Sequence, residues 1–198
     1  MSIPIKGMLA TAVTGLLLNS AVAADGTINF TGQLTSASCA ITGGPGTSVG
    51  GGGKGNQLVN VDLGKVPIDS LGGSAGGGVT AGTDINLELD CGSTGSGLTT
   101  VMLRLDAKSG SGIDAKNLNL LRTTGSATGV GIGLYNDDGK LLNLSANDTI
   151  DAPLVASGSA PVKYKASLSM RAAYVKSSAA APTPGSANGT LPFTLTYK

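Results

Sequence analysis

The chain has 198 residues, 40% of them hydrophobic and 13% charged, with a formal net charge of +1. That length supports one hydrophobic core and hence one domain, while the near-neutral balance gives no electrostatic argument for nucleic acid, an anionic membrane or a strongly acidic partner. The 32 glycines, with many Thr, Ser, Val and Leu, disfavour helix interiors and suit strands joined by turns, so composition predicts an all-β fold.

In chain order, residues 1–23 read as a secretory signal peptide. Lys6 gives a positive start, residues 8–18 an apolar run, and Ala21-Val22-Ala23 a small-x-small cleavage site. The run is too short to span a bilayer, so the mature chain is expected to start at Ala24, with cleavage after Ala24 almost as good a fit. Export puts Cys39 and Cys91 in an oxidising compartment, where the pair reads as a structural disulfide rather than a metal pair or a catalytic thiol. Closing a loop of that size is worth roughly 4 kcal/mol on the chain-entropy estimate.

Period-two alternation then recurs along the chain. On residues 26–36, Gly26, Ile28, Phe30, Gly32, Leu34 and Ser36 form one parity and Thr27, Asn29, Thr31, Gln33 and Thr35 the other. Further strands are predicted around Val59, Val61 and Leu63, around Ile85, Leu87, Leu89 and Cys91, around Val101, Leu103 and Leu105, and around Val130, Ile132 and Leu134. Asp138-Gly139 marks a hairpin turn, because Gly tolerates the positive φ such turns require. From 162 to 174 the core parity holds Val162, Tyr164, Ala166, Leu168, Met170, Ala172 and Tyr174, against Lys163, Lys165, Ser167, Ser169 and Arg171. The Pro- and Ala-rich stretch "SSAAAPTPGSANG" cannot continue a sheet. The chain closes on Leu191, Phe193, Leu195 and Tyr197, alternating with Thr190, Pro192, Thr194, Thr196 and Lys198. Short strands at this spacing predict an immunoglobulin-like sandwich of two antiparallel sheets.

Catalytic chemistry is poorly provided for. The chain contains no histidine, which removes the commonest general base and any Ser-His or Cys-His pair. "GGGGKGN" has Gly55 where a phosphate loop needs Ser or Thr after its lysine, and "GVGIGL" has Leu134 in place of the last glycine of a dinucleotide fingerprint. Asp137 and Asp138 belong to a solvated turn and are too few for a calcium site. No cofactor, metal or catalytic residue is expected. Four Asn-x-Ser/Thr triplets, at Asn29, Asn143, Asn147 and Asn188, read as chance.

Four segments in order, "DGTINFTGQLTSASC", a second cysteine ending a strand, "GVGIGLYNDDGKLLNL" and "PGSANGTLPFTLTYK" with its penultimate tyrosine, resemble the pilin subunits of chaperone-usher fimbriae, in particular the major subunits of type 1-like fimbriae. The resemblance implies an incomplete immunoglobulin-like β-sandwich at 37–198, preceded by a donor-strand extension at 24–36. It further implies that a groove beside the last strand is filled first by a strand of a periplasmic chaperone and then, at an outer-membrane usher, by the extension of the next subunit. Ile28, Phe30 and Leu34 would fill pockets, Gly32 would sit where the groove is shallow, and Leu191, Phe193, Leu195, Tyr197 and the Lys198 carboxylate would form the acceptor edge and chaperone contact. The expected partners are copies of the same chain in a linear polymer, the chaperone, the usher, and other pilins or a tip adhesin. Such a protein passes through the periplasm to a fimbrium on the cell surface and supports adhesion. Pro192 removes an amide donor from this pattern and leaves the register around 190–194 open.

Two other classes compete. A minor tip or adaptor pilin, or a small carbohydrate-binding protein, would need sugar-stacking aromatics; the chain has no Trp, and Tyr135, Tyr164 and Tyr174 would have to serve. A hydrolase would have to rely on carboxylates such as Asp137 and Asp138.

Overall fold

The computed structural model of the chain describes residues 39–45, 47–51, 57–71, 82–146 and 148–198. The predicted leader and the 24–36 extension, with Ile28, Phe30, Gly32 and Leu34, lie outside these residues. The described strands are β1 (Ala40–Gly43), β2 (Thr47–Gly51), β3 (Gln57–Val61), β4 (Thr83–Gly92), β5 (Thr100–Leu105), β6 (Leu121–Arg122), β7 (Val130–Tyr135), β8 (Thr149–Pro153), β9 (Val155–Ser157), β10 (Lys163–Lys176) and β11 (Phe193–Tyr197). They form a six-stranded sheet in the order β1-β4-β10-β7-β6, with β9 also on β10, a three-stranded sheet β11-β5-β8, and a separate β2-β3 pair. Every pairing is antiparallel, as the turn-rich composition predicts.

The two larger sheets bury the parities that alternation picks out. Ile85, Leu87, Leu89 and Cys91 of β4, Val101, Leu103 and Leu105 of β5, and Ala166, Leu168, Met170 and Ala172 of β10 share one core cluster. The outer face of β4 and β10 is a run of polar cross-strand pairs. Ser167 Oγ donates to the Glu88 carboxylate at 2.8 Å, Ser169 Oγ to Asn86 Oδ1 at 3.1 Å, and Arg171 Nε to Asp84 Oδ1 at 2.7 Å. A one-residue slip of either strand would turn its own members of these pairs into the core, so both faces specify the same register. The Cys39–Cys91 disulfide forms as expected across a sequence separation of 52 and ties the chain ahead of β1 to the buried face of β4.

Three differences from the sequence expectations have physical causes. Val162 precedes β10 and is 39% exposed, at a point where the β4 ladder has already ended with Gly92 opposite Tyr164. Along β7 all six residues are buried, not alternate ones, because a second cluster of Leu120, Tyr135, Ala173 and Val175, with Leu141 against it, covers the outer face there. Gly131 permits that layer: a Cβ on it would lie 2.8 Å from Leu120 Cβ. The Pro- and Ala-rich stretch stays out of the sheets, but it pairs through isolated bridges Thr124↔Asn188 and Thr128↔Thr183. Hydroxyl contacts line it as well, Thr128 Oγ1 to Thr183 Oγ1 at 2.8 Å and Ser126 Oγ to Ser186 Oγ at 3.3 Å.

The Asp138-Gly139 turn is present, with Gly139 at φ +73° and its N–H donating to Asn136 O at 2.9 Å. Its returning arm is only a bridge, Tyr135↔Leu141.

Candidate strand-acceptor groove

β11 follows directly on Pro192, and the proline does not disturb its register. Asp106 donates its N–H to Pro192 O at 2.8 Å, and Lys198 exchanges hydrogen bonds with Thr100 at 2.9 Å in both directions. These two pairs bracket the β11–β5 ladder and assign the even-numbered residues to β5. In an antiparallel strand both main-chain groups of a residue point the same way, so Phe193, Leu195 and Tyr197 turn their N–H and C=O groups away from β5. No described strand pairs with that side. The side chains of the same three residues, and of Leu191, are half-buried and pack against the main core, while Thr194 and Thr196 are exposed. One parity therefore carries both the free main-chain edge and the apolar stripe.

Beside this edge lies a groove of about 680 Å³. Its floor comes from both sheets, including Leu87, Leu103, Ile132 and Met170. Leu191 and Phe193 form one wall together with residues 183–189, and Val59, Val61, Leu63, Val66, Ile68 and Leu71 form the other. Of the residues expected at an acceptor edge, Leu191 and Phe193 thus line the groove. Leu195 and Tyr197 pack on the same core farther along the strand.

The far wall is what sequence reading missed. Val59 and Val61 stand out as a strand, but beyond them a short 3-10 turn at Ile68–Ser70 after Pro67 breaks the spacing of Val66, Ile68 and Leu71. No single period then marks them as one surface. The lining is mixed, for Asp62, Lys65, Tyr174, Thr183, Ser186 and Asn188 also border the groove. Tyr174 donates its hydroxyl to Ala187 O at 2.6 Å, and burial, reinforced by the Asp62 carboxylate, pushes its pKa above the usual tyrosine value.

At the end of β11, Tyr197 Oη accepts the N–H of Cys39 at 3.3 Å, so the last strand is joined to the chain just ahead of β1. A terminal oxygen of Lys198 accepts the N–H groups of Thr99 and Thr100, at 2.5 and 2.9 Å. The Lys198 side chain is exposed. Asp137 and Asp138 sit apart in an exposed turn, where Asp138 accepts from Asn136 Nδ2 at 3.4 Å.

Fold and groove together define a class: an all-β, immunoglobulin-like sandwich left open beside its last strand. The chain belongs to the Fimbrial protein family, which it matches over residues 28–198. It is similar to a type-1 fimbrial protein subunit of Serratia marcescens, 29% identical over 193 residues that cover 96% of each chain. Among solved structures it is similar to the P pilus rod subunit PapA, at 26% identity over 87% of this chain and all of that one, with a TM-score of 0.51. It is also similar to a chain of a chaperone-usher pilus solved to explain rod uncoiling, at 25% identity, 88% and 96% coverage and a TM-score of 0.54. The family is one of structural proteins, not enzymes, and membership places the chain in a surface fimbrium as a pilin subunit.

Proposed function

We propose that this pilin polymerises by donor-strand exchange and forms the shaft of an adhesive fimbria. The observation that carries the reading is the groove, floored by core side chains of both sheets, that the free edge of β11 borders. A strand laid there gains the main-chain ladder of Phe193, Leu195 and Tyr197 and buries alternate side chains in the void. The stretch from Ile28 to Leu34 spans the same seven positions as that from Leu191 to Tyr197. Its apolar parity, Ile28, Phe30 and Leu34, offers three large anchors at about 1.5–3 kcal/mol each. That is roughly 5–9 kcal/mol before ordering costs, ample for a slowly dissociating joint once the ladder is added.

The mature chain would begin at Ala24 after removal of the 1–23 leader, leaving 24–36 as the arm and 37–198 as the body. The arm of one copy entering the groove of the next is a head-to-tail contact that does not close, so it yields a filament. Before assembly a periplasmic chaperone would lend the missing strand and hold the Lys198 carboxylate, and an outer-membrane usher would be the site of exchange.

The test is deletion of residues 24–34. The truncated subunit is expected to co-purify with its chaperone yet fail to extend filaments seen by electron microscopy. Normal filaments from the truncated form would refute the reading.

A further inference from the structure

We infer that Asp151 and Pro153 close the opposite edge of the three-stranded sheet to strand addition and so restrict each subunit to one acceptor edge. The inference rests on β11 being the acceptor. That sheet has two edges, β11 and β8. Both are five residues long and both flank β5 in antiparallel register, so strand geometry alone makes them equal templates for pairing.

Their side chains make them unequal. Leu154 donates its N–H to Thr99 O at 2.8 Å, and this bond assigns Ile150 and Ala152 to the pairs bonded to β5. Thr149, Asp151 and Pro153 then turn their main-chain groups to the free side, and all three are exposed. Pro153 has no N–H to offer there, and its ring occupies the space an added strand needs. Asp151 places a charge at the middle of the edge, which an added strand would have to desolvate.

The remaining edges of the two larger sheets are capped or short among the described residues. The outward N–H of Ile41 on β1 is taken by Gln57 Oε1 at 3.0 Å, that of Arg122 on β6 by Gly112 O at 2.9 Å, and β9 has only three residues. β11 carries neither charge nor proline, and no hydrogen bond from another described residue caps its outer main-chain groups.

The test compares the mature wild-type chain with an Asp151→Val/Pro153→Thr double variant. Both have the groove filled by excess synthetic peptide of residues 24–36, and both are followed by sedimentation velocity over a concentration series. The double variant is expected to self-associate at a concentration at least tenfold lower, with amide-exchange protection gained at residues 149–153 in the associated state. Arg104→Val lies exposed on the central strand of the same sheet. It adds comparable apolar surface away from any edge and is expected to behave as wild type. An unchanged double variant, or equal association of Arg104→Val, overturns the inference. A peptide that binds neither protein instead defeats the acceptor reading of β11, while the edge comparison still stands on the same sedimentation series.

Discussion

Gly110→Ala is expected to loosen the groove wall by unseating the start of β11. A Cβ at this position would overlap Thr190 O and come within 2.6 Å of Pro192 Cδ. One of those atoms is backbone and the other a rigid ring, so neither can rotate away and the 189–192 segment must move. Three hydrogen bonds hold that segment: Ser111 N–H to Thr190 O, Thr190 N–H to Ser111 Oγ and Asp106 N–H to Pro192 O, each at 2.8 Å. At about 1 kcal/mol net apiece their loss amounts to roughly 3 kcal/mol, a substantial share of a typical domain's stability. For a domain of this size the midpoint of thermal unfolding should fall by about 6–12 °C. The assay is urea and thermal unfolding of the subunit with bound arm peptide, together with the peptide's affinity by fluorescence anisotropy. Both stability and affinity should fall, because Leu191 and Phe193 ride on the displaced segment. A variant within about 0.5 kcal/mol of wild type in both measurements would refute the claim that this contact positions the edge.

Replacing Phe30 by Ala in a synthetic 24–36 peptide should weaken its binding roughly ten- to a hundredfold, from the loss of one buried aromatic side chain; titration calorimetry reads it. Gly32→Leu in the same peptide should also bind more weakly, and a gain in affinity would show that the groove is not shallow there. Reducing the Cys39–Cys91 disulfide, which closes a separation of 52 residues, should cost about 4 kcal/mol in urea unfolding. Tyr174 supplies a pH signature. Its pKa is raised, first by burial and then by Asp62, so its contribution is fully present below about pH 10, the ordinary tyrosine value, and is lost as pH rises through the higher folded value. Tyr174→Phe also removes the hydroxyl bond to Ala187; it should lower stability at neutral pH and flatten the alkaline decline, which unfolding curves at several pH values would show.

Much of this fold is legible because its core strands obey a single period. Ile85, Leu87, Leu89 and Cys91 alternate cleanly, since one face of β4 meets the core and the other meets water through Glu88, Asn86 and Asp84. Legibility fails where that asymmetry ends. At Ala172, Ala173 and Val175 both faces of β10 are covered, so the period dissolves into a short apolar run that could equally be read as any buried segment. It fails again at Val66, Ile68 and Leu71, which share a wall only because a 3-10 turn redirects the chain. The hydroxyl-lined pairing of 124–128 with 183–188 carries no hydrophobic signal at all.

The edge of β11 shows why alternation alone cannot reveal an acceptor. Leu191, Phe193, Leu195 and Tyr197 would read the same on any half-buried strand. What distinguishes them is that their parity is the one left unbonded by β5, a consequence of register set by Asp106 to Pro192 at one end and Thr100 to Lys198 at the other. Shifting that register by one residue would send the apolar side chains to solvent and exchange the bonded and free residues. On β11 the free main-chain groups therefore sit on the core-facing residues, and Pro192 leaves them intact because it precedes the strand. Its carbonyl still accepts the bond from Asp106, and its missing N–H falls on the side facing β5. The main-chain donors of Phe193, Leu195 and Tyr197, which point away from β5, are all retained, so the proline removes no donor from that free edge.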